Sequence, residues 1–238
     1  WVMAMAEDRT GNIWFGLEKE GVSRFDGRKF ENFTVRDGLA GYGVMSILED
    51  REGNLWFGSH GNGVSRYNGH RFETFDTDDG LPSNDIWAIA EDKRGDLWFG
   101  TEQGVTRFDG TRFVSLGPED GLAQGGVHEI HSDRDGKLWF GSSSFLTVYN
   151  DGEIEKLGDD IVDIREFLEA PDGALWLRPG SRNGVARCQG KTCRWFGVED
   201  GLPSSMVNGL ISDHHGNIWF STWGGGLSEF DEIGRAHV

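Results

Sequence analysis

The chain has few basic residues, few prolines and no long apolar run. Only 23 lysines and arginines stand against 40 acids among its 238 residues, which gives a formal net charge of −17. Such a charge repels nucleic acid and anionic lipid headgroups, so we expect neither as a partner. No stretch approaches the ~20 consecutive apolar residues that cross a bilayer. Proline occurs 5 times and glycine 37 times, which suits many tight turns between strands.

The chain instead contains one short sequence motif six times, Gly-x-(Ile/Leu)-Trp followed by an apolar residue. Its tryptophans are residues 14, 56, 98, 139, 176 and 219, so successive copies lie 37 to 43 residues apart. A period of that size indicates a repeat architecture, and about forty residues with several short apolar runs match one four-stranded propeller blade. The sequence therefore predicts an all-β propeller built from antiparallel blades.

Each repeat contains four short segments, which we name strands A to D outward from the central channel. In the third repeat they are residues 86–90, 97–100, 104–108 and 112–116, each rich in β-branched or aromatic residues and bounded by Gly or Asp. The Leu-Trp-Phe run of strand B is apolar on consecutive residues, as in a strand buried on both faces. Blades stacked face to face bury their inner strands in that way.

The repeats divide residues 1–232 into 1–36, 37–78, 79–119, 120–158, 159–199 and 200–232. We expect five complete blades and a sixth that lacks its outer strand, as part of a larger ring. An arc of this kind is expected to leave an unpaired strand edge at each end. Residues 233–238 resemble the translation of a sequencing adapter and are excluded from the fold.

The turns between strands repeat as well. Asp-x-x-Gly joins strands A and B in every repeat except the fifth, which has Ala170 at the Asp position. Asp can accept hydrogen bonds within its own turn while Gly takes a positive φ, so the pair needs no further explanation. Calcium is the functional alternative, but one carboxylate per turn is too few oxygen ligands. We therefore predict no metal site and no cofactor.

The joined pattern resembles the two-component regulator propeller family. It runs Asp-Gly-Leu, a short apolar strand, Asp-x-x-Gly-x-Leu-Trp-Phe-Gly-Thr and Gly-Val-x-Arg-Phe-Asp-Gly, and residues 79–110 carry all of it. The resemblance covers residues 1–232. It implies the periplasmic or extracellular sensor region of a bacterial membrane signalling protein, with a histidine kinase or diguanylate cyclase output elsewhere in the parent chain. It also implies glycan sensing. The fifth repeat lacks Asp-Gly-Leu and has Ala170 where the turn Asp would fall, which puts regular loop geometry there in doubt.

The two cysteines both lie in the fifth repeat, where the other repeats have aromatic residues. Cys188 aligns with Phe25 and Cys193 with Phe30, on the two sides of the C–D hairpin turn. Facing positions across a hairpin bring Cβ atoms to within reach of a disulfide. We therefore predict a Cys188–Cys193 disulfide and an oxidising compartment. Two small buried hydrophobic side chains are the alternative.

A ligand of a propeller is expected at the channel mouth, the face that carries the D–A and B–C loops. Residues there that differ between repeats are the candidates, and the second residue of strand A varies most. Aromatic side chains offer a flat face for a sugar ring, and their polar neighbours fix its hydroxyl groups. The predicted ligand-binding residues are Tyr42, His60, Asp85, Trp87, Glu102, His128, Arg165, Arg178, Arg182 and Trp223.

The three arginines of the fifth repeat, at positions 165, 178 and 182, could receive a carboxylate or sulfate, although pairing with the abundant acids is favoured. Ordinary packing or an exposed loop is the alternative for each of the other candidates.

Two rival functions remain open. A lyase of the streptogramin-lyase type needs a base converging with an acid or metal. Only His60 and His128, taken to lie on neighbouring blades, could meet at the mouth with Glu102 or Glu129. We predict no catalytic residue and a non-enzymatic chain. The other rival is a protein-interaction or homodimerisation platform. The expected partners are an oligosaccharide or other small ligand, the remaining blades and the output domain.

Overall fold

A computed structural model describes residues 1–122, 125–157, 163–180 and 184–230, together with the backbone of residues 236–237. These residues form six antiparallel sheets in which the strands follow one another in chain order. The predicted all-β propeller is confirmed. No helix among the described residues is long and apolar enough to span a membrane.

The first three blades are regular. Blade 1 contains β1 (Val2–Glu7), β2 (Ile13–Leu17), β3 (Gly21–Phe25) and β4 (Phe30–Phe33). Blade 2 contains β5 (Val44–Glu49), β6 (Leu55–Ser59), β7 (Val64–Tyr67) and β8 (Phe72–Phe75). Blade 3 contains β9 (Ile86–Glu91), β10 (Leu97–Thr101), β11 (Gly104–Phe108) and β12 (Phe113–Leu116).

The last three blades follow the same order. Blade 4 contains β13 (Val127–Ser132), β14 (Leu138–Ser142), β15 (Leu146–Asn150) and β16 (Glu153–Leu157). Blade 5 contains β17 (Ile164–Glu169), β18 (Leu175–Pro179), β19 (Val185–Gln189) and β20 (Thr192–Phe196). Blade 6 contains β21 (Val207–Ser212), β22 (Ile218–Thr222) and β23 (Gly226–Phe230), plus the two-residue β24 (Ala236–His237). This two-residue strand lies within residues 233–238 and pairs with β23 at the place that the outer strand occupies in the other blades.

Strand B of an inner blade packs against both neighbouring blades. Trp56 contacts Phe99 of the next blade, with ring centroids 5.8 Å apart, whereas Phe57 contacts Trp14 of the preceding blade at 5.5 Å. Trp56 and Phe57 are at most 1% exposed. The consecutive apolar residues therefore serve two interfaces at once, one on each face of the sheet.

The turn aspartate accepts the N–H of the buried indole. In blade 2, Asp50 Oδ2 lies 2.8 Å from Trp56 Nε1, and the same carboxylate accepts the backbone N–H of Asn54 at 2.8 Å. Equivalent indole bonds occur at Asp8, Asp92, Asp133 and Asp213. A buried donor without an acceptor would be costly, so this bond explains why Asp and Trp recur six residues apart.

The Asp-Gly-Leu phrase between strands D and A forms a single 3₁₀ turn. Asp37 accepts the backbone N–H of Thr34 at 2.8 Å, and Gly38 ends the turn at φ 103°. Leu39 then inserts between blades 1 and 2 and is 3% exposed. The Asp-Gly-Leu motif therefore has a structural role, because it fixes the path by which each D–A loop enters the next blade.

Basic side chains connect the A–B turns of neighbouring blades. Arg51 Nε lies 2.6 Å from Glu91 Oε1 of the next blade, and its guanidinium also donates to the backbone oxygen of Asp92. Arg9 pairs in the same way with Glu49, and Arg134 with Glu169. The arginine side chains of these pairs are half exposed, so each pair contributes little to the free energy of unfolding and mainly orients the neighbouring turns.

Blade 5 keeps the backbone of its A–B turn without the aspartate. The N–H of Ala170 donates to the oxygen of Ala174 at 2.8 Å, and Gly173 N–H donates to Ala170 at 2.9 Å. Blade 2 has the same two bonds at 2.9 and 3.0 Å. The expected irregularity of this turn is therefore wrong, because backbone hydrogen bonds and Gly173 form it, and Asp172 accepts the N–H of Ala174 at 3.0 Å, as Asp50 accepts that of Asn54 in blade 2.

The outer hairpin of blade 5 contains a disulfide. Cys188 and Cys193 face each other across β19 and β20, and their sulfur atoms are bonded, with the Cα atoms 4.0 Å apart. Cys188 is 1% exposed and packs with Trp139 of blade 4. Two small residues thus replace the aromatic pair of the other blades, and a groove of about 630 Å³ lies beside them.

Candidate functional site: the channel mouth

The most variable residue of strand A is a β-bulge in every blade. In blade 3, Ile86 pairs with Thr101 and Ala88 with Gly100, so Trp87 is left without a partner. The register of strand A against strand B shifts at the same place in the other five blades. The six bulged residues are Met3, Met45, Trp87, His128, Arg165 and Asn208.

A bulge frees its residue from the ladder and re-aims the side chain. Each bulge lies at the start of strand A, next to the D–A loop, so the six side chains surround the channel mouth. Two neighbours touch: the rings of Trp87 and His128 are stacked, with centroids 4.2 Å apart and an interplanar angle of 20°. Both residues are partly buried. The variable position is therefore also the one that the backbone releases from pairing.

Gly126 lets the indole of Trp87 lie close to the backbone. A Cβ atom at residue 126 would lie 2.2 Å from Trp87 Cζ3 and 2.9 Å from Glu102 Cα. Any other residue would push the indole away, because neither distance is sterically possible. Trp87, His128 and Glu102 are thus brought together from blades 3 and 4.

A second polar pair lies at the boundary of blades 2 and 3. His60 Nδ1 is 3.0 Å from Asp85 Oδ1, and Asp85 stands two residues before Trp87. His60 is largely exposed, whereas the carboxylate of Asp85 is mostly covered. His60 and Asp85, both predicted from the sequence, therefore extend the Trp87 cluster toward blade 2.

The arginines of blade 5 are already paired with acids. Arg165 Nε lies 2.7 Å from Asp163 Oδ1, and Arg178 Nε lies 2.7 Å from Glu166 Oε2. Asp163 adopts φ 53°, which is uncommon for a residue with a Cβ atom. These pairs support the favoured alternative of neutralised arginines over an open anion site. Arg182 lies outside the described residues.

Two carboxyl groups meet beneath the bulges of blades 4 and 5. Glu129 is partly buried, and this burial together with the nearby Glu166 raises its pKa to about 8, although Arg178 opposes the shift. Glu166 in turn accepts the backbone N–H of Leu210 at 3.1 Å. Glu129 is therefore mostly protonated at neutral pH.

His128 is kept uncharged by its surroundings. Burial lowers its pKa, the nearby Arg165 lowers it further, and Asp163 acts in the opposite direction. A neutral imidazole stacked on an indole gives a continuous flat surface with a polar edge. Such a surface suits the face of a sugar ring or another flat, uncharged group.

Tyr42 and Trp223 lie elsewhere on the mouth. Their side chains belong to residues that are 48% and 71% exposed, and their backbones join neighbouring loops through bonds to Gly21 and Met206. Neither ring is among the aromatic neighbours of the Trp87–His128 pair in the described part of the chain. The predicted set therefore separates into one cluster and two isolated aromatic residues.

The proposed meeting of His60 with His128 is wrong. His60 belongs to blade 2 and His128 to blade 4, and Trp87 of blade 3 stands between them. Within the described residues, no three His, Cys, Asp or Glu side chains are grouped to hold a metal ion. The described part of the mouth shows stacking and ion pairs, and its histidine–carboxylate pair is His60 with Asp85.

Asp163 and Glu166 were not among the predicted site residues. The signal was present, since the third residue of strand A is Ala4, Ser46 and Ala88 in blades 1–3 but Glu129 and Glu166 in blades 4 and 5. That change from small to acidic residues marks the half of the channel where charge is concentrated.

Comparison with known families agrees with this architecture. The profile described as "two component regulator propeller" matches residues 38–61, 80–103 and 201–224. Each matched range runs from the Gly of Asp-Gly-Leu through strand B. This chain carries two-component regulator propeller repeats. No curated protein sequence matches it.

Solved structures share the fold at low identity. Virginiamycin B lyase from Staphylococcus aureus aligns with a TM-score of 0.80 and 17% identity, over 99% of this chain and 83% of that chain. The extracellular domain of the putative hybrid two component system BT3049 from B. thetaiotaomicron gives 0.61 and 20%, over 97% and 39%. PorZ of Porphyromonas gingivalis gives 0.72 and 16%, over 98% and 41%. The propeller repeats thus span less than half of these last two proteins.

Proposed function

We propose that this chain is the ligand-sensing, non-catalytic propeller of a bacterial two-component or related signalling protein, on the periplasmic or extracellular side of the membrane. Its ligand is a glycan fragment that binds at the channel mouth against Trp87 and His128. The repeat family and the extracellular two-component neighbour support the sensor role. The Cys188–Cys193 disulfide supports an oxidising compartment.

The observation that carries the proposal is the stacked Trp87–His128 pair on two bulged strands. Bulges are enriched beside binding sites because they re-aim a side chain without disturbing the rest of the sheet. The neutral His128 and the partly buried indole offer a flat apolar face, and Glu102, His60 and Asp85 lie near it as hydrogen-bonding groups. Sugar rings are recognised by this combination of a flat face and a polar edge.

Binding of neutral oligosaccharide fragments to the purified chain tests this proposal by calorimetry. We expect Trp87→Ala to weaken binding about five-fold, because an aromatic face of this kind contributes about 1 kcal/mol. His70→Ala, in the exposed C–D turn of blade 2, is the matched control and should bind normally. Binding that ignores the loss of Trp87, or no binding to any fragment, would count against the proposal.

A lyase of the streptogramin type is the second candidate, since such a lyase shares the fold over 83% of its length. Incubating the chain with each fragment or with a streptogramin, followed by mass spectrometry, separates the two functions. New products would support the enzyme, whereas binding without turnover supports the sensor. Stable homodimers that bind no small molecule would instead favour the interaction platform.

A further inference from the structure

The indole of Trp139 lacks the aromatic cover that is present at the other interfaces between blades. At four of the five interfaces between neighbouring blades, the tryptophan of strand B contacts an aromatic residue from strand C of the next blade. The ring centroids are 4.7 to 5.9 Å apart in these pairs, which are Trp14–Tyr67, Trp56–Phe108, Trp98–Tyr149 and Trp176–Phe230. At the interface of blades 4 and 5, Trp139 packs with Cys188 instead. This interface is therefore without a ring that the fold uses everywhere else.

Blade 4 also lacks the arginine that lies over the equivalent indole in blades 1 and 2. There the guanidinium carbons of Arg24 and Arg66 are 5.6 and 5.7 Å from the ring centroids of the strand B tryptophans. Each arginine also pairs with a glutamate of strand D. In blade 4 the register places Val148 at this position, between Trp139 and Glu155. The outer part of Trp139 is thus covered by neither a ring nor a cation.

A groove lies where these two groups are missing. Its volume is about 630 Å³, and its wall toward blade 5 is the hairpin turn at Gly190 and Lys191. Trp139 is 6% exposed, whereas each of the four indoles covered by a ring is 1% exposed. Trp195 packs against the same core cluster but is not among the residues that line the groove. Small-molecule sites have volumes of about 300–1,000 Å³, so the groove is large enough to hold such a ligand.

The lining of the groove contains an apolar row and a polar row that both run across blade 4. Trp139 of strand B and Val148 of strand C form the apolar row. Two residues further along, Asn150 of strand C faces Glu153 of strand D, and Lys137 lies just before strand B. Residues two apart in a strand point to the same face at a separation of about 7 Å, so the polar row lies directly beside the indole.

The polar row carries one charge of each sign, from Lys137 and Glu153. Neither side chain forms an ion pair within the described ranges, whereas Glu155 of the neighbouring row is bonded to Lys191 of blade 5, with Nζ and Oε1 2.6 Å apart. A cation, an amide and an acid thus stand side by side on three strands. This arrangement complements a ligand head that carries a carboxylate and an ammonium group together.

We infer that this groove binds a free aromatic amino acid. The ring of the ligand lies against Trp139 and Val148, in the space that rings of the next blade fill elsewhere. Its carboxylate pairs with Lys137 and its ammonium with Glu153, while the amide of Asn150 donates to the first or accepts from the second. The groove lies at the A–B and C–D turns, on the face opposite the channel mouth, so its occupancy does not depend on a glycan at Trp87.

Calorimetry on the complete chain with L-tryptophan and L-phenylalanine tests this inference. We expect dissociation constants below about 1 mM, as ligands of this size reach in a fitting site. L-alanine has the same charged head without a ring, and indole has a ring without the head. Each of these two probes should bind at least about ten-fold more weakly than L-tryptophan.

Three variants assign the binding to the groove. Val148→Arg restores the arginine of blades 1 and 2 beside Glu155, and should weaken L-tryptophan at least about ten-fold without lowering the melting temperature. Lys137→Gln should weaken L-tryptophan about five-fold but should not weaken tryptamine, which has no carboxylate. Glu153→Gln should weaken both, because both carry the ammonium group.

Lys29→Gln, in the exposed hairpin turn of blade 1, is the matched control and should bind normally. Absence of binding by both amino acids overturns the inference, and so does L-tryptophan binding that Val148→Arg leaves unchanged. Binding that is lost in Trp87→Ala but kept in Val148→Arg would place the amino acid at the channel mouth and also overturn it.

Discussion

In blade 2 the turn before strand B begins with Asp50, whereas the same position in blade 5 is Ala170, yet the two turns have the same backbone hydrogen bonds. An aspartate at this position is therefore not required for these backbone bonds, and in blade 5 Asp172 accepts the N–H of Ala174 instead. The task of Asp50 is to accept the N–H of Trp56, together with two N–H groups of Asn54. The comparison of the two blades shows that the backbone of the turn forms without Asp50. Asp50 instead stabilises the buried Trp56, which packs between blades.

The outer hairpins of the same two blades differ in how they fill space. In blade 2, the rings of Tyr67 and Phe72 are in contact with centroids 4.7 Å apart, and Tyr67 packs on Trp14 of blade 1. In blade 5, Cys188 and Cys193 replace these rings with a covalent bond. Grooves of about 630 and 570 Å³ flank blade 5 on its two sides. A disulfide within one hairpin of blade 5 thus takes the place of the aromatic packing that joins neighbouring blades elsewhere.

The largest expected effect comes from giving blade 2 the turn of blade 5. Asp50→Ala should lower the free energy of unfolding by about 3 kcal/mol, because the buried Trp56 N–H loses its acceptor along with the bonds to Asn54. Urea unfolding measures this loss. Asp26→Ala in an exposed hairpin turn is the control, for which we expect less than about 1 kcal/mol. Equal losses would show that the indole bond is unimportant.

The third residue of strand A is acidic in blades 4 and 5 but small in blades 1–3, and the dependence of stability on pH can reveal this difference. The pKa of Glu129 is about 8 in the folded chain, above its ordinary value of 4.5. Between these values the folded state holds a proton that the unfolded state has released, so stability falls as pH rises from about 4.5 to 8. Glu129→Gln removes this loss. The full shift would correspond to about 4 kcal/mol at pH 8, and because Glu129 is only partly buried, solvent screening reduces the expected stabilisation to about 2 kcal/mol.

Urea unfolding of Glu129→Gln and its parent at pH 5, 6, 7 and 8 tests this difference. The two curves of stability against pH should converge near pH 5 and separate toward pH 8. Glu52→Gln, at an exposed turn position, should run parallel to the parent throughout. A constant offset between Glu129→Gln and its parent would mean that Glu129 is charged in the folded state.

The repeat made most of the fold predictable. A Trp recurring every 37 to 43 residues, with apolar residues on both sides, fixed the strands, the blade number and the burial of strand B. The partner of the indole was not predictable, because the Asp-x-x-Gly turn explains its own aspartate.

The candidate site was predictable only as a set of positions. Variation between repeats pointed to the second residue of strand A, and the structure adds that this residue is a bulge. Spacing could not show that His128 stacks on Trp87 or that Arg165 and Arg178 are paired with acids. The ring pair joins blades 3 and 4, where sequence distance carries no information about contact, whereas both arginine pairs lie within blade 5 and depend on the strand register there.

The smallest expected effect is the reverse exchange, in which blade 5 receives the aspartate of blade 2. Ala170→Asp places a carboxylate beside Trp176, at a turn whose backbone already matches that of Asp50. The groove lined by Ala170 and Trp176 leaves room for the larger side chain. We expect a gain of about 1 kcal/mol in urea unfolding, the usual net value of one hydrogen bond. Ala170→Asn, which also accepts from the indole but carries no charge, should give part of this gain, whereas Ala170→Leu should give none. If Ala170→Asp destabilises the chain, the indole of Trp176 is already satisfied in another way, and blade 5 has replaced the bond as well as the aromatic pair.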